Sequence, residues 1–171
     1  GYFGYEIVRY IEPKLANIDK TDELNVPDIL LMLSNDLLVV DNLNSKVYII
    51  THINPSENSF EDGIAKLSAI EKSIKKSFKY PTTASGNIKS KDFISSFGRE
   101  NYISAVEKVQ AYIKAGDVMQ VVPSQRLSCR FKSNPIELYR QLRILNPSPY
   151  MYFLNLDDFA IVGSSPEILT R

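Results

Sequence analysis

A chain of 171 residues carries 20 Lys and Arg against 20 Asp and Glu, with 44% hydrophobic residues and 23% charged ones, proportions that argue against a fibre or a disordered chain. Zero formal charge argues against a nucleic-acid or anionic-membrane surface as the main function, and no apolar run approaches the roughly 20 residues of a membrane span. A lone cysteine, Cys129, excludes an internal disulfide framework or a thiolate zinc cluster and suits a reducing compartment, so a cytoplasmic location is expected.

The chain opens at Gly1 without a basic stretch and small-residue cleavage site, and its last residues, Ile168 to Arg171, fall inside an expected strand. Both ends read as cut, and the chain as an internal piece of a longer protein. In residues 1–11, Tyr2, Phe3 and Tyr5 alternate with Gly1 and Gly4, a pattern for close packing against a neighbouring backbone. Residues 12–26 are polar and read as loop. The apolar runs 29–33 and 37–40 and the β-branched run 47–53, separated by Ser34-Asn35-Asp36 and by the turn residues 41–45, predict a three-stranded antiparallel meander. Ile64, Leu67, Ile70, Ile74 and Phe78 recur at three- and four-residue steps, which predicts an amphipathic helix over 60–78.

Residues 80–92 cluster Pro, Gly, Ser, Thr and Asn, and divide the chain into a first region at 1–80, a linker at 81–95 and a second region at 96–171. In the second region Tyr102, Val106, Val109 and Ile113 mark a helix face between Gly98, a weak cap, and Gly116, a stop. Residues 117–131 read as a strand interrupted by Pro123. Asn134-Pro135-Ile136-Glu137 is a helix start, Leu138, Leu142 and Leu145 are its expected buried stripe, and Asn146-Pro147 ends it. Residues 150–156 and 159–162 around Asp157-Asp158 predict a hairpin. Residues 163–166 form a sharp corner, after which 167–171 open another strand.

Few residues carry chemistry on pattern alone. His52 stands without a ligand cluster and reads as an ordinary strand residue, Cys129 as an idle thiol, and no glycine-rich phosphate loop occurs. Two places stand out. Gln120 alternates with Val118 and Val122, and an amide on a buried strand face needs partners or a ligand. Glu167 follows the proline of a rigid corner, where a carboxyl can be held accurately enough for acid catalysis.

The segments AGDVMQVVPSQRL (115–127), LYRQLRILNPSPYMYFL (138–154), IVGSSPEILTR (161–171), GYFGYEIVRYIE (1–12) and PDILLMLSNDLLVVD (27–41) resemble, in order and spacing, the anthranilate synthase component I family of chorismate-using enzymes. The resemblance is weakest over residues 54–92. It implies an α+β fold of packed antiparallel sheets with flanking helices, truncated at both ends. It implies a subunit that converts chorismate and ammonia to anthranilate and pyruvate in tryptophan biosynthesis, with Mg2+, a glutamine amidotransferase partner and feedback inhibition by L-tryptophan.

By the same resemblance Glu167 is the acid that protonates the departing ring hydroxyl, and Gln120 stands where water-adding relatives carry a lysine base. Pro149, Tyr150 and Met151 belong to the inhibitor pocket. The Mg2+ ligands are expected outside these residues, so the piece alone is expected to be inactive. Unpaired sheet edges predict self-association. An aminodeoxychorismate synthase of the folate branch, and a non-catalytic effector-binding module, are the alternative readings.

Overall fold

The computed structural model describes residues 1–17, 22–78 and 88–168. Two units divide the chain, Gly1–Tyr80 and Pro81–Arg171. In the first unit β1 (Tyr2–Phe3) pairs antiparallel with β2 (Ile29–Leu30), Tyr2 facing Leu30 and Phe3 facing Ile29. The glycines make this approach possible: a Cβ on Gly1 would lie 1.9 Å from the Leu30 carbonyl oxygen, and one on Gly4 would lie 3.0 Å from that of Asp28. A 3-10 helix (Tyr5–Tyr10) and a 3-10 turn (Pro13–Leu15) follow. The expected loop 12–26 holds that turn, and its residues 18–21 lie outside the described residues.

Strands β3 (Asp36–Asp41) and β4 (Lys46–Thr51) form a hairpin in the register Leu37 to Ile50 and Val39 to Tyr48. The expected meander is therefore corrected. The run 29–33 contributes only β2, and β2 joins β1 rather than β3. Local pattern could not show this, because the chosen partner lies more than 25 residues upstream in sequence and matches as well in apolar character. Helix α1 (Phe60–Ile74) packs against β4. Its start is a reciprocal capping box: the Asp62 amide donates to Ser59 Oγ (3.2 Å), and the Ser59 amide donates to the Asp62 carboxylate (2.8 Å). The helix stops at Ile74, four residues short of the periodic pattern, and Phe78 is exposed beyond it. Gly63, on the packed face, lets the helix sit on Ile53, whose side chain would be 3.4 Å from any added Cβ.

In the second unit the expected linker falls partly outside the described residues, at 81–87. Its remainder holds a 3-10 turn (Ser90–Asp92) and β5 (Ile94–Ser95). Helix α2 (Arg99–Ala115) runs between the two expected glycines. Gly116 takes φ +80°, and the Asp117 and Gly116 amides donate back to the Tyr112 and Ile113 carbonyls (3.0 and 3.1 Å), a Schellman ending that needs a residue tolerant of left-handed backbone.

The strand expected over 117–131 shrinks to β6 (Leu127–Ser128), paired with β5. Before it the chain runs irregularly beside the start of α2: Tyr102 Oη donates to the Pro123 carbonyl (3.5 Å) and Ser95 Oγ to Gln125 Oε1 (2.9 Å). Pro123 has no amide to offer a ladder, and the apolar residues around it find no covering layer here: Met119 is 98% and Val122 78% exposed.

Helix α3 (Pro135–Leu145) starts as expected, with Asn134 Oδ1 accepting from the Ile136 amide (3.1 Å). It lies on the hairpin of β7 (Tyr150–Leu156) and β8 (Phe159–Ser165), paired from Tyr150–Ser165 to Leu156–Phe159. The leucine stripe is only half right. Leu142 is half-buried, whereas Leu138 and Leu145 are exposed, Leu145 at 79%. The contact with the hairpin runs through Tyr139, whose ring lies 6.1 Å from that of Phe153. Leu156, at the closed end of β7, is the one large apolar side chain among the described residues that is buried. The hairpin turns at Asp157 with φ +62°, a left-handed position that aspartate tolerates better than most residues.

Candidate functional site

The open end of the β7–β8 hairpin gathers most of the residues singled out from sequence. Met151 faces Ser164 and Tyr150 faces Ser165 in the ladder, so the Asn146-to-Met151 segment lies alongside the Gly163-to-Glu167 segment. Here the structure corrects the expected corner. Gly163, Ser164 and Ser165 continue strand β8, and the bend begins only at Pro166. The expected final strand begins with a bend at Glu167, and residues 169–171 lie outside the described residues.

Glu167 is exposed, and its backbone is held from both sides by one hydroxyl. Its amide donates to Ser165 Oγ (3.3 Å), and Ser165 Oγ donates to the Glu167 carbonyl (3.0 Å). Across the hairpin mouth Ser148 Oγ donates to the Ser165 carbonyl and accepts from the Tyr150 amide (3.4 Å). Ser164 Oγ donates to the Asn146 carbonyl (2.9 Å). Pro149 and Tyr150 are exposed, and Met151 is half-buried at the start of β7.

Gln120 does not share this site's construction. It is exposed in the irregular stretch before β6, so the expected strand does not form around it. The structure thus brings the Tyr150–Met151 segment together with the Glu167 segment and leaves Gln120 on a separate element. Sequence reasoning missed Ser148, Ser164 and Ser165 as a group. The signal was faint, since a serine beside proline is ordinary turn chemistry, and only the register shows which serine meets which carbonyl.

Elsewhere a polar cleft of about 410 Å3 in the first unit is lined by residues that include Asn35, His52, Asn54, Glu57, Asp62 and Lys66. His52 there is exposed, with ring Nδ1 3.3 Å from the Asn35 carbonyl oxygen, in keeping with an ordinary strand-end role. Lys66 Nζ lies 2.9 Å from Asp36 Oδ1, which also accepts from Thr51 Oγ1 (2.7 Å). These bonds, from Lys66 first and then Thr51, hold the Asp36 carboxyl below its ordinary 3.8.

A carboxyl so depressed adds stability above its ordinary value and loses that contribution as the pH falls through the lower folded value. Asp36→Asn should therefore lower the melting temperature at neutral pH. The gap from the parent should close as the pH falls from about 5 to 3. Melting curves at each pH check this, and a constant gap would contradict it.

Among the described residues no group of three or more His, Cys, Asp or Glu side chains is placed to hold a metal ion. Cys129 is a free, half-buried thiol. Among the described residues no helix is long and apolar enough to cross a membrane.

Small antiparallel sheets with helices laid on them define an α+β chain whose candidate site is the serine-rich hairpin mouth ending in a carboxylate. The chain belongs to the chorismate binding enzyme family, whose model matches residues 1–171. It is 48% identical over 179 residues to anthranilate synthase component 1 of Pseudomonas aeruginosa, covering 100% of this chain and 36% of that protein. It is 47% identical over 175 residues to the protein of that name from Neisseria gonorrhoeae, covering 100% of this chain and 35% of the relative. The fold is similar to the crystal structure of anthranilate synthase component I from Streptococcus pneumoniae TIGR4, with TM-score 0.80 and 28% identity over 98% of this chain and 38% of that one. The chain thus spans about a third of the length of the curated relatives it matches.

Proposed function

We propose that this chain forms part of a subunit that aminates chorismate and eliminates pyruvate to give anthranilate. The observation that supports this most is similarity along the entire chain, at 45–48% identity, to several proteins named anthranilate synthase component 1. In this reading a glutamine amidotransferase partner supplies ammonia, L-tryptophan inhibits, and carboxylates outside these residues hold Mg2+.

The ring hydroxyl of chorismate is a poor leaving group. As the ammonia nitrogen bonds to the ring and the ring C–O bond breaks, Glu167 gives its proton to the departing oxygen, which leaves as water. Gln120, an uncharged amide where a lysine base would activate water, suits ammonia, a nucleophile that needs no such base. Pro149, Tyr150 and Met151 offer an aromatic ring, a proline face and a polarisable sulfur to the indole of tryptophan.

The test compares the intact protein with the isolated 171-residue chain, both given chorismate, Mg2+ and ammonium. The intact protein should produce anthranilate fluorescence and the isolated chain none. The isolated chain should also self-associate in light scattering, because apolar residues on both hairpin strands, such as Leu38 and Tyr48, are exposed. An aminodeoxychorismate product from the intact protein would move the reading to the folate branch, and turnover by the isolated chain would overturn the division of the site.

A further inference from the structure

The mouth of the β7–β8 hairpin is closed by two side-chain bonds of opposite direction. Ser148, from the segment preceding β7, donates to the carbonyl of Ser165 on β8, and Ser164 of β8 donates back to the carbonyl of Asn146. Asn146 is also where α3 ends, its amide donating to the Leu142 carbonyl (2.9 Å). Ser165 is the residue whose hydroxyl brackets the Glu167 backbone. Two separate bonds therefore tie the segment to β8, Asn146 to Ser164 and Ser148 to Ser165, and the Ser165 hydroxyl in turn brackets the backbone of Glu167.

Successive strand residues point to opposite sides, so Ser164 and Ser165 cannot both serve one face. The sequence places a hydroxyl at each, and both bind backbone at the mouth. Two adjacent hydroxyls spent on backbone carbonyls at a solvent-facing strand end are not needed to pair β7 with β8, which the ladder already does over seven residue pairs.

From this geometry we propose that Ser148 and Ser164 are positioning residues. They clasp the Asn146-to-Met151 segment to the Ser164–Ser165 end of β8 that leads into Glu167, so that the placement of the carboxyl depends on what occupies that segment. The proposal rests on the reading above, in which Glu167 donates the proton and tryptophan binds beside Tyr150 and Met151. A ligand that shifts the Asn146-to-Met151 segment moves both clasp atoms with it. Because Ser165 and Glu167 are two residues apart and share one hydroxyl, displacement reaches the acid without passing through a distant domain.

The experiment uses the intact enzyme with Ser148→Ala, Ser164→Ala and Ser148→Thr. It records kcat and KM for chorismate, tryptophan binding by calorimetry, and tryptophan inhibition. Each alanine variant should lower kcat about 5- to 20-fold with KM changed less than about 2-fold, since misplacement of a catalytic group acts on the chemical step. Tryptophan should still bind within about 3-fold of its parent affinity, while its inhibitory effect falls at least about 5-fold, the lower end of ordinary coupling between sites.

Ser148→Thr, which keeps the hydroxyl, should restore both kcat and inhibition, a result that a purely structural role for the position would not give. Alanine variants with parental kcat and parental inhibition would overturn the proposal while leaving the reading of the site intact. An unmodified enzyme that ignores tryptophan, or a fully active Glu167→Gln variant, would overturn the reading and the proposal with it. Ser164→Ala guards against a folding defect peculiar to position 148, and loss of inhibition in that variant alone would still support the clasp.

Discussion

Glu167→Gln in the intact enzyme should lower the turnover of chorismate by about 100- to 10,000-fold, the range that general acid catalysis contributes. The amide keeps the shape of the side chain and the backbone bonds to Ser165, and it removes only the transferable proton. The loss should appear in kcat rather than KM, because substrate binding does not depend on that proton. Tryptophan should bind as before, since Pro149, Tyr150 and Met151 are untouched. Steady-state kinetics with ammonium as the nitrogen source isolate the step from the amidotransferase. Unchanged turnover would remove Glu167 from the chemistry, and an equal loss of tryptophan affinity would show that the substitution had disturbed the hairpin instead.

Gly163→Ala should destabilise the same hairpin by about 0.5–1.5 kcal/mol, the cost of turning the half-exposed Tyr152 ring off its rotamer to make room. The reason is local. Tyr152 faces Gly163 across the ladder, and a Cβ on Gly163 would lie 2.0 Å from Tyr152 Cζ. The ring lies over the bare α-carbon, so an added methyl group must push it aside. Backbone conformation is not the obstacle, since Gly163 sits in extended β8.

The companion variant makes the argument decisive. In a Tyr152→Ala background, Gly163→Ala should become neutral or stabilising by about 0.5–1 kcal/mol, because glycine inside a strand has more conformational freedom to lose than alanine. A reversal of sign in thermal unfolding, read as a double-mutant cycle, identifies the ring as the cause. An equal cost in both backgrounds would contradict it. Gly163 precedes Ser164 and Ser165, so displacement of the ring should also disturb the residues that clasp Glu167.

Much of the local structure was legible from residues alone. Gly98 and Gly116 bound α2 because helix ends have few solutions, and Asn134 with Pro135 opens α3 for the same reason. The β7–β8 hairpin follows from alternation around Asp157-Asp158. These features depend on interactions within a few residues, and so the order of residues carries them. Errors arose where partners were distant. Residues 29–33 had apolar character enough for a meander strand, but pairing is decided by what is available to pair, and β1 was available. Residues 117–126 had strand-forming valines, but a strand requires a neighbour, and along most of that stretch none of the described residues provides a ladder. Leu138 and Leu145 satisfied helical periodicity, yet the face of α3 that is covered depends on where the hairpin lies.

The candidate site divides along the same line. The residue types are legible in the chain itself: a carboxylate after proline, an amide among valines, and an aromatic with a thioether beside prolines. Strand pairing in three dimensions sets Tyr150 and Met151 directly across from Ser165 and Ser164 and brings Ser148 to the carbonyl just before the Glu167 bend. Register between strands is a cooperative outcome of the whole ladder, and a shift of one residue would exchange every facing pair, so no short motif can state it in advance.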